Sequence, residues 1–294
     1  MNVDLAAADA FMATHARVLD RRRFEVLMGQ EDPAAVLAAL DGYRNPDGGY
    51  GWGLEPDLRS SESQTGAAAH AFEVFEDIAP ATTSRAVALC DWLESVSLPD
   101  GGLPFVLPLT GTAGCAPWWR DADPSVSSLQ ITAVSAAVAH RVAVHDPAVA
   151  AHSWLERATR YCLTEIEAVE APSAYVLAFA VRFLDVVHDR LPEAAGLLRR
   201  LGRHLPADGR VHVEGGTEEE TLHPLDFAPY PGGPARELFA PEVISADLDR
   251  LAGLQQEDGG WTVDYARISP AGSLDWRGHT TVRAIDILRR NARI

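Results

Sequence analysis

Apolar positions along this chain recur at helical spacing, and prolines mark where the helical stretches begin. The pairs Asp32-Pro33, Ala79-Pro80, Asp146-Pro147, Leu191-Pro192 and Ala240-Pro241 each precede an apolar run, with successive prolines 47, 67, 45 and 49 residues apart. Proline is favoured at the first helical position, where its missing N–H costs nothing. An aspartate before it can cap the helix with its carboxylate. After Pro80, Ala86, Leu89, Cys90, Leu93 and Val96 share one helical face. After Pro147, Val149, Trp154, Leu155 and Ala158 do the same less cleanly. Five helices are predicted from these points.

Four of the five are followed by an Asp-Gly element: Asp47-Gly48-Gly49-Tyr50, Asp100-Gly101-Gly102-Leu103, Asp208-Gly209-Arg210-Val211 and Asp258-Gly259-Gly260-Trp261. Glycine supplies the left-handed backbone that ends a helix and turns the chain. The third unit has Glu170-Ala171-Pro172 instead. A second helix is predicted in each unit, over 63–75, 127–142, 175–187 and 279–290. In the fourth unit four prolines within 221–234 predict a short, displaced or broken one. A further helix over about 3–23 stands outside the count. The pattern predicts an all-α single domain over 1–294, a ring of about five to six helical hairpins. An open solenoid would keep a stricter period and lack the long Gly/Trp-rich insertions.

Composition narrows the function. The formal net charge is −17, so a polyanion is repelled and nucleic-acid binding is not expected. All 25 basic residues are Arg, which removes Lys-based Schiff-base chemistry. No apolar run reaches the roughly 20 residues of a membrane span. Met1-Asn2-Val3-Asp4 lacks the start of a signal peptide, so a cytoplasmic location is expected. Cys90, Cys115 and Cys162 have no metal-type spacing and are expected to be reduced.

The segment Gln255-Gln256-Glu257-Asp258-Gly259-Gly260-Trp261 resembles the QW motif of triterpene cyclases, and Arg44–Tyr50 is a weaker version. The order helix, Asp-Gly element, loop, helix is likewise similar to the α/α toroid of the terpenoid cyclase and protein prenyltransferase superfamily. In that superfamily such motifs are structural staples, so the resemblance implies a fold more directly than a reaction. It implies an enzyme acting in a central cavity, by acid-initiated cyclisation or isomerisation of a small apolar or isoprenoid-like molecule. The class II cyclase acid motif, Asp-x-Asp-Asp, is matched in part by Asp121-Ala122-Asp123-Pro124. Carried over, Asp123 is the acid and Asp121 its neighbour; a second carboxylate and apolar walls would keep the acid protonated. Asp123-Pro124 also repeats the Asp-Pro helix start, so Asp123 reads first as an N-cap and second as the acid. The prenyltransferase zinc set of Asp, Cys and His is not matched, no acid-rich magnesium motif is present, and no metal or cofactor is expected.

Five of the seven tryptophans, Trp52, Trp118, Trp119, Trp261 and Trp276, fall in the loops predicted to precede inner helices. Those loops also carry Asp57, Arg59, Gln64, Arg120, Gln130, Arg277 and His279. Together they read as an aromatic rim with a few fixed polar groups around an apolar pocket. Each Trp could instead plug a loop, and each Asp–Arg could be a loop ion pair. His223 and Asp226 lie in the Pro-broken unit after Glu218-Glu219-Glu220, which reads as a lid or as a solvated acidic loop. Two other function classes fit these residues: a carbohydrate-active toroid using a carboxylate pair, and a non-catalytic toroid that binds a ligand or protein.

Overall fold

The computed structural model describes residues 3–265 and 267–294; the first two residues of the N-terminal reading lie outside them. In chain order the helices are α1 (Leu5–Thr14), α2 (Val18–Leu27), α3 (Pro33–Asp41), α4 (Thr65–Asp77), α5 (Ser84–Val96), α6 (Pro117–Arg120), α7 (Leu129–Val142), α8 (Pro147–Ala150), α9 (Ser153–Ala168), α10 (Ala174–Val187), α11 (Ala194–Leu201), α12 (Pro224–Phe227), α13 (Pro241–Gly253) and α14 (Pro270–Arg290). Two short strands, β1 (Val211–His212) and β2 (Thr221–Leu222), pair antiparallel with Val211 opposite Leu222. The protein is mostly helical, as the apolar periodicity predicts. Among the described residues no helix is long and apolar enough to cross a membrane.

The chain divides into two compact units. One is continuous, residues 32–170; the other joins 3–31 to 171–294. In the continuous unit α4 packs along α7, α7 along α9, α5 on α9 and α3 on α4. Every residue from 63 to 72 is buried, so the first two turns of α4 are covered on all faces. Its run of Ala67, Ala68, Ala69 and Ala71 lets neighbours approach closely. In contrast α5 buries a stripe, Ala86, Leu89, Cys90, Trp92 and Leu93, and leaves its other face to solvent. Phe72 of α4 stacks on Trp154 of α9 with ring centroids 5.8 Å apart, and both are fully buried. Truncating either to Ala should cost about 3–5 kcal/mol, measurable by urea unfolding. In the other unit α2 packs on α14, α13 on α14, α11 and α12 on α10, and α1 on α2. Phe11, Phe24, Phe183, Phe227 and Trp261 fill its core.

The Asp-Gly elements are one local device used repeatedly. Asp47, Asp100 and Asp258 each accept a hydrogen bond from the N–H two residues on, at 2.9, 3.0 and 3.1 Å. The first glycine of each takes φ near +92°, which only glycine adopts without strain. The second has no room for a Cβ: it would meet Trp92 and Ser63 at Gly49, Ser127 and Tyr161 at Gly102, and Phe11 at Gly260. The next side chain, Tyr50, Leu103 or Trp261, is fully buried. The first turn thus seats on α5, the second on α9, and the last on α1. Gln255 fixes that last contact by exchanging hydrogen bonds with the Asp4 backbone, 2.8 Å each way.

Several predicted boundaries move. The expected helix over 3–23 is two helices, α1 and α2, separated at His15-Ala16-Arg17. Pro33, Pro147 and Pro241 do occupy the first helical turn. Pro80 and Pro192 instead lie in the turns before α5 and α11, and Thr83 caps α5. The last helix begins at Pro270, behind an N-cap from Ser269, not at His279. The fourth unit has only the one-turn helix α12 where its second helix was expected to be broken. All three cysteines are free and buried.

Candidate functional site

In the continuous unit the start of α4 gathers polar groups around an aromatic wall. Gln64, at the N-cap, accepts from the Leu107 N–H at 2.9 Å and donates to its carbonyl at 3.4 Å. Thr65 donates to the Phe105 carbonyl at 2.9 Å. The 105–107 segment is thereby stapled to α4, and the Phe105 ring stacks on Trp119 at 4.3 Å. Gly66 is the slot for this wall: a Cβ there would be 2.8 Å from the Trp119 ring and 3.5 Å from Glu55. One turn further, His70 is held between two carboxylates. Its Nε2 is 3.0 Å from Glu55 and its Nδ1 3.1 Å from Glu73. Burial alone would lower the imidazole pKa, but Glu73 and Glu55 outweigh it and push it up to about 9. Asp57 is buried beside them, its N–H donating to Glu55 at 3.0 Å.

The remaining predicted residues of this unit do not converge there. Trp52 is 58% exposed and donates to Asn45 at 2.9 Å. Arg59 lies against Gly53 and Gly114, clamping two loops. Trp118 and Trp119 are on α6, not in an irregular loop; Trp118 is exposed and Trp119 is buried. Gln130 is half-buried in the first turn of α7. Arg120 and Asp121 form an exposed two-bond ion pair at 2.7 and 2.9 Å, which holds the Asp121 carboxyl below its ordinary range.

Asp123 fits neither role read for it. It is exposed and accepts from the Ser125 hydroxyl at 2.6 Å and the Ser125 N–H at 2.8 Å, and both bonds lower its pKa. A proton donor needs the opposite environment, apolar and crowded. It caps no helix either, because Ser128 is the N-cap of α7.

In the discontinuous unit a second polar cluster forms around the broken fourth hairpin. The β1–β2 hairpin curls so that Glu220 is buried, and it accepts from the Tyr175 hydroxyl of α10 at 2.7 Å. A Cβ on Gly216 would collide with the same carboxylate, so glycine lets the turn close over it. Thr217 donates its N–H to Glu220 and its hydroxyl to the Asp264 carbonyl, both at 3.2 Å. The Asp264 residue opens to solvent, yet its carboxyl is crowded; that crowding, then Asp226 and Glu220, raises its pKa. Burial and the Glu220 bond likewise raise Tyr175, which stays a neutral donor. Tyr175 stacks on Phe179 of the same helix.

His223 and Asp226 form the capping box of α12, and Asp226 also accepts from Arg283 at 3.3 Å. Burial, then Arg250, holds the His223 imidazole below its usual range. Trp276, Arg277 and His279 are on α14, not in the loop before it. Arg277 donates to Asp258 at 2.7 Å and lies over the Phe11 ring at 4.6 Å. It fastens the last Asp-Gly turn, as Ser63 and Ser127 fasten the first two by donating to Asp47 and Asp100. The Trp276 ring meets Tyr265 and His279 edge-on, and His279 Nδ1 is 3.2 Å from Arg23.

Sequence reading missed Glu55, His70, Glu73, Tyr175 and Asp264 as functional residues. His70 and Glu73 carried one usable signal, a three-residue spacing on a predicted helix.

No family model matches the chain, and no curated protein matches it. A crystal structure described as a protein from Actinoplanes is similar over 98% of this chain and 100% of that one, with a TM-score of 0.58 and 16% identity. At that identity the likeness is one of fold.

Proposed function

We propose that this chain is an enzyme of the α/α-toroid type that transfers protons to and from a small, largely apolar, isoprenoid-like substrate. The observation that carries the reading is the pairing of Glu220, pinned by the Tyr175 hydroxyl, with Asp264, whose carboxyl is pushed up. A carboxyl held toward its protonated form is suited to give up a proton, and a carboxylate fixed beside it by a hydroxyl is placed to take one back. Asp264 donates the proton that starts the reaction, and Glu220 takes one back to end it. Tyr175, backed by Phe179, supplies an aromatic face for a cationic intermediate. The Gln255–Trp261 resemblance and the recurrent seating of Asp-Gly turns on α5, α9 and α1 support the toroid reading.

The test is turnover of a panel of polyprenyl diphosphates, linear polyenes and their epoxides, followed by mass spectrometry. Glu220→Gln and Asp264→Asn should each lower kcat by at least about 100-fold, while Asp123→Asn stays within error of wild type. Full activity in both carboxyl variants, or turnover confined to nitrophenyl glycosides, would overturn the proposal. Loss of fold is separable from loss of chemistry. A carboxyl with a raised folded pKa opposes folding once ionised, and that opposition vanishes below the unfolded value of about 3.9. Asp264→Asn should therefore be at least as stable as wild type at pH 7, with the advantage fading toward pH 3 in thermal unfolding scans.

A further inference from the structure

We propose that His70 and Glu73 are a chelating pair for a divalent first-row transition ion, of the zinc and cobalt class, oriented by Glu55. This is separate from the proton-transfer reading and uses none of its residues. The two donors stand one turn apart on α4, and residues spaced by three share a helix face. His70 Nδ1 and the nearer Glu73 oxygen are 3.1 Å apart. Two metal–ligand bonds of about 2.1 Å, meeting between a right angle and the tetrahedral angle, separate their donor atoms by about 3.0–3.4 Å. That separation suits a metal set to one side of the line between the two atoms, replacing the proton they share. The remaining coordination positions are left to water or other donors.

The far side of the ring is built for the same role. A metal-bound histidine generally donates its other N–H to a carboxylate, which fixes the tautomer and strengthens the bound nitrogen as a ligand. Glu55 stands 3.0 Å from Nε2 and its side chain is only 8% exposed. The donor set, imidazole and carboxylate without thiolate, suits zinc, cobalt, iron or manganese better than copper(I). Gly66 seats Glu55 and Trp119 against α4 and so sets the position of the orienting carboxylate.

The experiment is titration of the metal-stripped full chain with zinc chloride by calorimetry and with cobalt(II) by visible absorption. One equivalent is expected to bind with micromolar or tighter Kd, and cobalt should develop a d–d band typical of nitrogen and oxygen donors. Glu73→Gln should weaken binding at least 100-fold. Glu55→Gln should weaken it by about 10–100-fold while leaving the stoichiometry at one. Circular dichroism identifies variants that keep the fold, and the Glu55 variant keeps the test open if the Glu73 variant does not fold. A folded wild-type chain that binds neither ion overturns the proposal. So does unchanged affinity in folded Glu73→Gln and Glu55→Gln, which would place binding on surface carboxylates.

Discussion

Gly259→Ala should destabilise the protein by more than about 4 kcal/mol, in the range reserved for severe steric or strain defects. Three other glycines make that number interpretable. Gly48, Gly101 and Gly259 share almost the same backbone, φ +93°, +92° and +92°, so a methyl group meets equal torsional strain at each. That strain is about 1–2 kcal/mol. What differs is the wall. A Cβ would come within 3.2 Å of the Ala88 carbonyl at Gly48 and 3.1 Å of the Arg157 carbonyl at Gly101. At Gly259 it would overlap the Ala7 carbonyl outright and reach within 2.8 Å of the Ala8 nitrogen, inside the backbone of α1. Because Gln255 ties α1 to the turn, the helix cannot back away without breaking those bonds as well. Gly29, at φ +71°, isolates the torsional cost alone, because a methyl group there would meet nothing within 4 Å. Urea unfolding should rank the alanine variants 259 worst, 101 and 48 intermediate, 29 mildest. A Gly259 variant no worse than the Gly29 variant would show that α1 does not seat on this turn.

The same turns explain what could be read from the sequence and what could not. Asp-Gly-Gly followed by a large apolar residue has a local cause and a local reading, and the helices on either side of it follow. α4, α7 and α10 lie within two residues of their expected starts and ends because burial on many faces leaves a long apolar record. The break between α1 and α2 left none. His15, Ala16 and Arg17 are neither glycine nor proline, and the chain turns there so that α2 can lie along α14. The start of α14 was hidden for a related reason. Gly272 and Gly278 look like loop residues, but Gly278 is a packing slot: a Cβ would meet Asp20 at 2.9 Å and Ala16 at 3.2 Å.

The candidate chemistry was less legible than the fold, because residue type does not say what a side chain touches. Arg277 read as a pocket cation and is a turn fastener. Trp119 read as a rim residue and is a buried wall. Asp123 read as an acid because of the residues beside it, yet a serine two positions on is enough to keep it ionised. His70 attracts little notice in an alanine-rich helix. Its character comes from Glu55, fifteen residues away across an irregular loop whose path no periodicity encodes.

Asp20→Ala should cost about 3–5 kcal/mol, the range seen when one partner of a buried ion pair is removed. Asp20 is fully buried and accepts from Arg17 Nε at 2.6 Å, and the Arg17 side chain is itself only 8% exposed. Attraction between two such groups mostly repays the cost of taking them out of water, so the intact pair adds little net stability. Removing the carboxylate alone takes the Asp20 ion pair away from a guanidinium that is itself largely out of water. The packing makes relief difficult, because Gly278 lets α14 close over Asp20 and water has little room to replace the lost oxygen atoms. The cause can be separated from simple cavity formation by a double-mutant cycle. If the penalty comes from the lost ion pair, Arg17→Ala combined with Asp20→Ala should be less destabilised than the sum of the single variants, by about 1–3 kcal/mol. If it comes from lost packing, the two costs should add, and the buried pair would then be shape-filling rather than an electrostatic unit at the start of α2.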